Sequence, residues 1–208
     1  MLAELAAQLG KPMGIRGLVV GTMLNRTNRG MTGVAVDALE LKPGATAADL
    51  GFGGGVGLAL LLEKVGPQGL VVGVDLSPTM VGRSSGQFDR EIAAGRMKLQ
   101  LGSLTKLPLD DGSVQGAITV NTIYFIAELD RVFSELARVI TSAGRAVVGI
   151  GDPDNMAHMP MTAYGYRLRP VDEVVAAATS AGLTLHDHRR SGEGDAAAHL
   201  LVFAHASS

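Results

Sequence analysis

A glycine-rich stretch preceded by an acid holds the residues whose types and spacing best suit ligand binding. Its glycines occupy alternate positions: Gly51, Gly53, Gly55 and Gly57. Glycine has no Cβ atom and adopts positive φ without strain, so a strand that turns into a helix through glycines brings its backbone close to a ligand at the helix N-terminus. The stretch therefore predicts a site where a ligand lies against the main chain.

Two carboxylates accompany the glycines. Asp49 stands two residues before Gly51, and Asp75 ends the next β-rich run, 20 residues after Gly55. A carboxylate at the end of the second strand can accept both hydroxyl protons of a ribose. Glycines and acids together predict an adenosine-containing cofactor, and the alternative is a tight strand–helix connection that holds no ligand.

The glycine spacing differs from two common nucleotide motifs. The dinucleotide fingerprint G-x-G-x-x-G needs its third glycine at position 56 or 58, where Val56 and Leu58 stand. A phosphate-binding loop needs a Gly-Lys pair that this stretch lacks. The remaining pattern, acid-x-G-x-G-x-G, disfavours an NAD-dependent oxidoreductase.

Composition limits the class of protein. A chain of 208 residues fits one domain with a full core. With no cysteine it has no disulfide, thiolate metal site or cysteine nucleophile. A net charge of −2 argues against general nucleic-acid binding. No apolar run reaches the roughly 18 residues of a membrane span, and the first ten residues lack a basic signal region, so we expect a cytoplasmic protein.

The first 44 residues look helical and precede the first strand. No acid stands between Glu4 and Asp37, where the basic residues are Lys11, Arg16, Arg26 and Arg29. Such a basic, apolar arm can meet an anionic substrate or make weak peripheral contact with lipid head groups; the alternative is an ordinary solvated helical arm. We expect it to form a lid over the carboxyl ends of the strands.

From residue 45 onward, short β-rich runs alternate with helical ones. The predicted strands cover residues 45–50, 70–75, 97–101, 114–120, 145–150, 183–190 and 196–205, and the predicted helices 56–65, 78–94, 129–139 and 170–181. This alternation predicts an α/β fold with a doubly wound, seven-stranded, mostly parallel sheet. The last two strands lack a helix between them, which predicts one antiparallel edge strand. The expected organisation is a 1–44 arm and a 45–208 cofactor-binding domain.

The segments DLGFGGG and VVGVDLSPTM resemble the first two motifs of class I S-adenosylmethionine-dependent methyltransferases. The similarity continues through LGSLTKLPLDDGSVQGAITVNTIYFI and ELDRVFSELARVITSAGRAVVGI, over roughly residues 20 to 190. Within that family the chain is most similar to small bacterial type-11 methyltransferases, whose N-terminal arm resembles MLNRTNRGM. The resemblance implies a Rossmann-like methyltransferase fold and S-adenosyl-L-methionine as cofactor.

The resemblance also implies cofactor contacts. The backbone at Gly51 and Gly53 would follow the methionine part, Asp49 would reach its ammonium directly or through water, Asp75 would hold the ribose, and Leu76 would pack on the adenine. The implied set is Asp49, Gly51, Phe52, Gly53, Gly55, Asp75, Leu76, Met80, Gly102, Ser103, Leu104 and Asn121. Many members carry Asp where this chain has Ser103, whose hydroxyl accepts a bond from the adenine amino group more weakly.

Methyl transfer is a direct displacement that needs alignment, and a base if the acceptor atom is protonated. Tyr124, after the fourth strand, is a candidate to orient a substrate hydroxyl, or it packs under the arm. His158 is a candidate general base, or a solvated loop residue. Asp152 and Asp154 are of a type that can bind a cation, but Asp-Pro-Asp is also an ordinary turn sequence, and no metal site is expected.

The sequence thus predicts a methyltransferase of the class EC 2.1.1.- that acts on a small, partly hydrophobic molecule through an O, N or C atom, as a monomer or homodimer. The alternative is a catalytically silent regulatory or scaffold protein that binds the same cofactor.

Overall fold

The computed structural model describes residues 29–193 and 197–206, apart from the side chain of Met161. These residues form seven strands: β1 (Thr46–Leu50), β2 (Leu70–Asp75), β3 (Met97–Leu101), β4 (Val114–Val120), β5 (Ile140–Gly151), β6 (Leu183–Ser191) and β7 (Ala198–His205). The helices are α1 (29–38), α2 (Val56–Val65), α3 (Pro78–Gln87), α4 (Asp89–Ala93), α5 (Leu129–Val139), α6 (Pro153–Ala157) and α7 (Val171–Ser180). Two short 3₁₀ turns lie at Ile123–Phe125 and Pro160–Ala163.

The strands join into one sheet in the order β3-β2-β1-β4-β5-β7-β6. Strands β1 to β5 are parallel, and β7 pairs antiparallel with both β5 and β6. The order reverses between β1 and β4, and ligands of such sheets bind outside the carboxyl ends of the strands at this point. The predicted doubly wound sheet with antiparallel pairing at one edge is confirmed.

The antiparallel strand is second from the edge rather than outermost. The middle of β7, Leu200 to Phe203, is fully buried, which suits a strand between two neighbours. In contrast β6 alternates between exposed and half-buried residues along most of its length, as an edge strand does. The strand that is buried on both faces, β7, therefore lies inside the sheet, and the partly exposed β6 forms its edge.

Helices cover both faces of the sheet. One core cluster joins α5 and α7 to the sheet, where the Phe133 and Phe203 rings meet edge to face at 5.4 Å. The other joins α1, α2 and α3 to the opposite face. None of the described helices is long and apolar enough to cross a membrane.

The described part of the N-terminal segment reaches the amino ends of the strands. Helix α1 buries Ala35 and Ala38 in the core, and Arg145 near the amino end of the parallel part of β5 contacts the segment that follows. The Arg145 Nη1 atom donates to the carbonyl of Ala38 (3.3 Å) and pairs with Glu40 (2.8 Å). Ala38 and Glu40 therefore lie near the amino ends rather than over the carboxyl ends, and a lid formed by the arm stays a prediction. Residues 1–28 of the predicted arm lie outside the described residues.

One predicted helix, 78–94, is interrupted. It divides into α3 and α4 at Phe88, whose backbone (φ −113°, ψ 31°) leaves the helical region. The Phe88 side chain is buried, and its ring approaches Gly55 closely: a Cβ atom there would lie 3.3 Å from Cε2. The interruption therefore turns an aromatic ring toward the glycine turn.

We predict that Gly73→Ala in β2 destabilises the protein by about 1–3 kcal/mol through overpacking. A Cβ atom at this position would lie 2.6 Å from Leu99, 2.9 Å from Leu58 and 2.9 Å from Phe52. The matched control is Gly82→Ala in α3, where the position is exposed and a Cβ meets nothing within 4 Å. That variant gains about 0.5–1 kcal/mol from helix propensity. Urea denaturation gives both free energies, and two changes of the same sign would contradict the packing argument.

Candidate cofactor site

The glycine turn has the backbone that its sequence predicts. Gly51, Gly53 and Gly55 have φ values of +77°, +49° and +85°, in the left-handed region that favours glycine. The Gly51 N–H donates to the Val74 carbonyl (2.7 Å), and the Gly55 N–H donates to the Phe52 carbonyl (2.9 Å). Three positive φ values in five residues carry β1 into α2, and no other residue type adopts them so readily.

Two of these glycines face different surroundings. A Cβ atom on Gly51 would lie 2.5 Å from Thr122 Cγ2 and 2.7 Å from its Oγ1, so the segment after β4 closes against the turn here. A Cβ atom on Gly53 would meet nothing within 4 Å. The turn is therefore tightly packed at Gly51 and open at Gly53, where a ligand can approach its backbone.

Asp75 ties this turn to the next strand. Its Oδ2 accepts the Gly53 N–H and its Oδ1 accepts the Ser77 N–H, both at 2.8 Å. Each carboxylate oxygen can accept a second bond, which leaves capacity for two ribose hydroxyls. Burial raises the pKa of Asp75, while the backbone N–H groups of Ser77 and Gly53 oppose that rise. Ser77 also caps α3, because its hydroxyl accepts the Met80 N–H at 3.3 Å.

Asp49 is buried beneath the turn. A Cβ atom on Gly57 would overlap its Oδ2, so the fourth glycine makes room for the acid rather than for a ligand. Burial, followed by the nearby charge of Asp75, raises the pKa of Asp49 to about 8, although the Leu58 N–H bonds to the carboxylate. Without a cationic ligand the Asp49 carboxyl is therefore mostly protonated at pH 7.

Two exposed leucines extend the site beyond Asp75. Leu76 is 49% exposed and Leu101 is 56% exposed. Leu101 ends β3 directly beside Asp75 in the strand register. Both present apolar surface that a planar ring can cover. Leu101 was not among the predicted cofactor contacts. The sequence feature that could have identified it is its position at the end of β3, the strand that pairs with the one ending at Asp75.

The loop after β3 is folded on itself. Ser103 Oγ lies 2.8 Å from Thr105 Oγ1 and accepts the Thr105 N–H (3.2 Å), which engages this hydroxyl in a local turn. A Cβ atom on Gly102 would lie 2.8 Å from Pro108, so that position also needs glycine. The loop places both predicted residues next to Leu101.

Three residues of the predicted set have buried side chains. The side chains of Met80, Leu104 and Phe52 are 0%, 5% and 5% exposed and belong to the hydrophobic core. Asp49 and Asp75 are buried to a similar degree, at 5% and 7% exposure. Contact of Met80, Leu104 and Phe52 with a cofactor stays a prediction.

The end of β4 is held by a hydrogen-bonded chain. The Gly151 N–H donates to Tyr124 Oη, which donates to Asn121 Oδ1 (3.0 Å). Asn121 has a positive φ of +55°, a strained value for a side-chain-bearing residue. Tyr124 is 4% exposed, and burial raises its pKa. Its hydroxyl proton is engaged by Asn121, so Tyr124 joins the ends of β4 and β5.

A buried arginine just before α7 supports the same segment. Arg169, 9% exposed, donates to the carbonyls of Ile123 (3.0 Å) and Ile126 (2.6 Å) and pairs with Glu173 (3.2 Å). The residues between β4 and α5 are thus fixed on two sides. A segment held in this way, next to the point where the strand order reverses between β1 and β4, can position an acceptor beside a bound cofactor.

His158 lies in an exposed position after α6, and its backbone N–H donates to the Asn155 carbonyl (3.2 Å). Asp152 caps α6 through the N–H groups of Asp154 (3.1 Å) and Asn155 (3.3 Å). The assignment of Asp152 to turn chemistry fits these bonds. The role of His158 as a general base stays a prediction.

Sequence reasoning missed a cluster around Asp152. Its Oδ2 contacts Arg190 (2.9 Å) and His199 Nε2 (3.2 Å), and His199 Nδ1 lies 2.9 Å from His188 Nε2. His188 shares a face with His199 because their strands are paired, and no sequence periodicity links them to Asp152. Among the described residues no group of three or more His, Asp or Glu side chains is arranged to hold a metal ion.

We predict that Gly51→Ala costs more stability than Gly53→Ala. Both place a Cβ atom at positive φ, at about 1–2 kcal/mol, but the Gly51 variant also collides with Thr122. Urea denaturation measures the difference, and the double variant Gly51→Ala/Thr122→Ala should recover part of the loss. Equal stabilities of the two single variants would show that the contact with Thr122 is unimportant.

We predict that Asp49 links cofactor affinity to pH. Its folded-state pKa of about 8 exceeds the ordinary 3.8, so its contribution to stability falls as pH rises from about 4 to 8. A cationic ligand favours the ionised carboxylate, so the affinity for S-adenosylmethionine should rise with pH, by up to about tenfold per unit below pH 8.

The control for this prediction is Asp49→Asn, which removes the titration. The ligand's own ammonium titrates in the same range, but it does so identically for both proteins. Calorimetric titration at several pH values isolates Asp49 as the difference between them. Parallel pH profiles of wild type and variant would refute the linkage.

Comparison with known proteins agrees with this geometry. Residues 48–148 match the family model described as a methyltransferase domain. An arsenite methyltransferase of Halobacterium salinarum is 34% identical over 120 residues, 58% of this chain and 30% of that protein. A demethylmenaquinone methyltransferase of Symbiobacterium thermophilum is 34% identical over 114 residues, 52% of this chain and 43% of that protein. The chain thus spans less than half the length of these relatives.

Solved structures share the fold over most of the chain. One is the methyltransferase in a complex with the Haloferax volcanii Trm112 methyltransferase activator (TM-score 0.78, 19% identity, 90% of this chain and 93% of that one). Another is geranyl diphosphate C-methyltransferase from Streptomyces coelicolor A3(2) (TM-score 0.72, 17% identity, 96% and 88%). Residues 48–148, just under half of the chain, are therefore similar to the methyltransferase-domain family, and the fold of the chain is that of solved class I S-adenosylmethionine-dependent methyltransferases.

Proposed function

We propose that this protein transfers a methyl group from S-adenosyl-L-methionine to a small, partly hydrophobic molecule. The observation that carries the proposal is the Gly51–Gly55 turn. It has open space at Gly53, and the Gly53 N–H bonds to Asp75, the proposed ribose-binding residue. The turn lies at the switch point between β1 and β4, and the exposed leucines 76 and 101 continue the same edge.

The residues of the site suit the parts of this cofactor. Asp75 would accept the ribose hydroxyls, and Leu76 and Leu101 would contact the adenine. Asp49 would supply a negative charge near the methionine end when it loses its proton. Bound in this way, S-adenosylmethionine would supply an electrophilic sulfonium methyl group: the acceptor atom would bond to the methyl carbon as the carbon–sulfur bond breaks, with S-adenosylhomocysteine as the leaving group.

The acceptor side is aromatic, which supports a partly hydrophobic substrate. Rings of Phe125 and Tyr166 lie 4.7 Å apart, those of Tyr124 and Tyr166 lie 5.6 Å apart, and Tyr164 is 44% exposed. Arsenite, demethylmenaquinone and geranyl diphosphate appear in the names of similar methyltransferases, which supports a small molecule rather than a macromolecule. These names span unlike acceptors, so the proposal leaves the acceptor atom open.

Binding is tested by calorimetric titration with S-adenosylhomocysteine and with NAD. We expect binding of the first alone, and Asp75→Ala should weaken it by about a hundredfold or more, because two hydrogen bonds to a charged group contribute about 3–6 kcal/mol. Asp37→Ala is the matched control, since Asp37 pairs with Lys64 far from the turn. Tight binding of NAD, or an intact affinity in the Asp75 variant, would overturn the cofactor assignment.

Turnover is tested with methyl-labelled S-adenosylmethionine and a cell extract. We expect label in the organic-extractable small-molecule fraction, and none with the Asp75→Ala protein. Cofactor binding without any labelled product would instead support the silent regulatory protein. Label confined to protein or nucleic acid would contradict a small acceptor.

A further inference from the structure

We propose that Arg138 is a positioning residue for the adenine of the cofactor. It holds the loop between β3 and β4, residues 102–113, in the shape that receives the ring. The inference rests on the proposed function in one respect, which is that the ligand received by this loop is the adenine of S-adenosylmethionine. Arg138 lies on α5 and was not part of the predicted set.

The guanidinium of Arg138 is bound by the loop on two sides. Its Nη1 atom donates to the Leu109 carbonyl (2.7 Å) and contacts Asp111 Oδ1 (2.7 Å), while its Nη2 atom donates to the Leu107 carbonyl (3.1 Å). The Arg138 carbonyl accepts the Gly112 N–H at 2.8 Å. One residue therefore fixes the loop at four successive places.

Glu135, one helical turn earlier, completes the arrangement. Its two carboxylate oxygens receive Arg138 Nε (2.8 Å) and Nη2 (2.7 Å) as a bidentate pair. Its Oε2 atom also accepts the Leu107 N–H at 2.6 Å. Both polar groups of Leu107 are thus held by α5, and lysine cannot reproduce this planar fork of donors.

The held segment contacts the predicted adenine edge through Pro108. A Cβ atom on Gly102 would lie 2.8 Å from Pro108 Cδ and 3.0 Å from Val74, so the Pro108 ring packs against Gly102. Gly102 separates Leu101 from Ser103, which the resemblance assigns to the adenine surroundings. If Leu107 and Leu109 move, the Pro108 ring moves and this edge changes shape.

Helix α5 itself does not depend on Arg138. Its inner face is formed by buried apolar side chains that pack on the sheet: Val132, Phe133, Leu136 and Val139. Loss of Arg138 therefore leaves the helix in place and releases the loop. This separates an effect on adenine binding from an effect on the whole fold.

The test compares Arg138→Met and Arg138→Lys with Arg131→Met, an exposed arginine on the same helix. Calorimetry measures the Kd of S-adenosylhomocysteine and of its inosine analogue, in which oxygen replaces the adenine amino group. We expect both Arg138 variants to bind S-adenosylhomocysteine about tenfold more weakly and to lose most of the wild-type preference for adenine. Arg131→Met should behave like the wild type.

A role confined to stability would weaken both analogues equally and leave the preference intact, and that result would overturn the inference. Unchanged Kd values would do the same. Glu135→Gln, which keeps an acceptor for the Leu107 N–H but loses the charge, should show an intermediate loss and serves if the Arg138 variants do not fold. Failure of the wild type to bind S-adenosylhomocysteine would refute the proposed function instead.

Discussion

The carboxylate of Asp75 joins three parts of this molecule that would otherwise be independent. Its oxygens accept the N–H of Gly53 in the glycine turn and of Ser77 at the start of α3, while its backbone continues β2. Buried carboxylates are costly unless hydrogen-bonded, and these two bonds offset part of that cost. This one side chain therefore links the glycine turn to the start of α3 at the end of β2.

The opposite side of the site, at the end of β4, is also held in place by side chains. Thr122 fills the space beside Gly51, Tyr124 bonds to the ends of β4 and β5, and Arg169 binds the carbonyls that follow. Thr122 acts by packing, whereas Tyr124 and Arg169 bond to backbone groups where regular structure ends. On both sides of the site, side chains supply hydrogen bonds that strands and helices no longer supply.

Short sequence patterns predicted those features of the fold and the site that depend on neighbouring residues. The positive φ values at the three glycines, and the doubly wound sheet, follow from residue types within short windows. The position of α1 and the order of β6 and β7 depend on which apolar faces remain uncovered, which no short window contains. Leu101 lies beside Asp75 only through strand register.

Long-range polar pairs were the least predictable features. Arg138 contacts carbonyls 29 and 31 residues away, and Asp152 meets His199 across 47 residues. Such contacts follow no period in the sequence, because the fold has to bring their segments together first. For the same reason the motif that places Met80 and Leu104 near a ligand does not predict that their side chains are buried.

The burial of Asp49 against Gly57 has a consequence for how these two positions vary among homologous sequences. Glycine is among the poorest residues for a helix interior, yet any side chain at position 57 would occupy the volume of the acid. Neither position can change freely while the other keeps its present residue. Across homologous sequences, replacement of Gly57 by a larger residue should therefore coincide with a smaller residue at position 49, so the two sites should covary despite the turn between them.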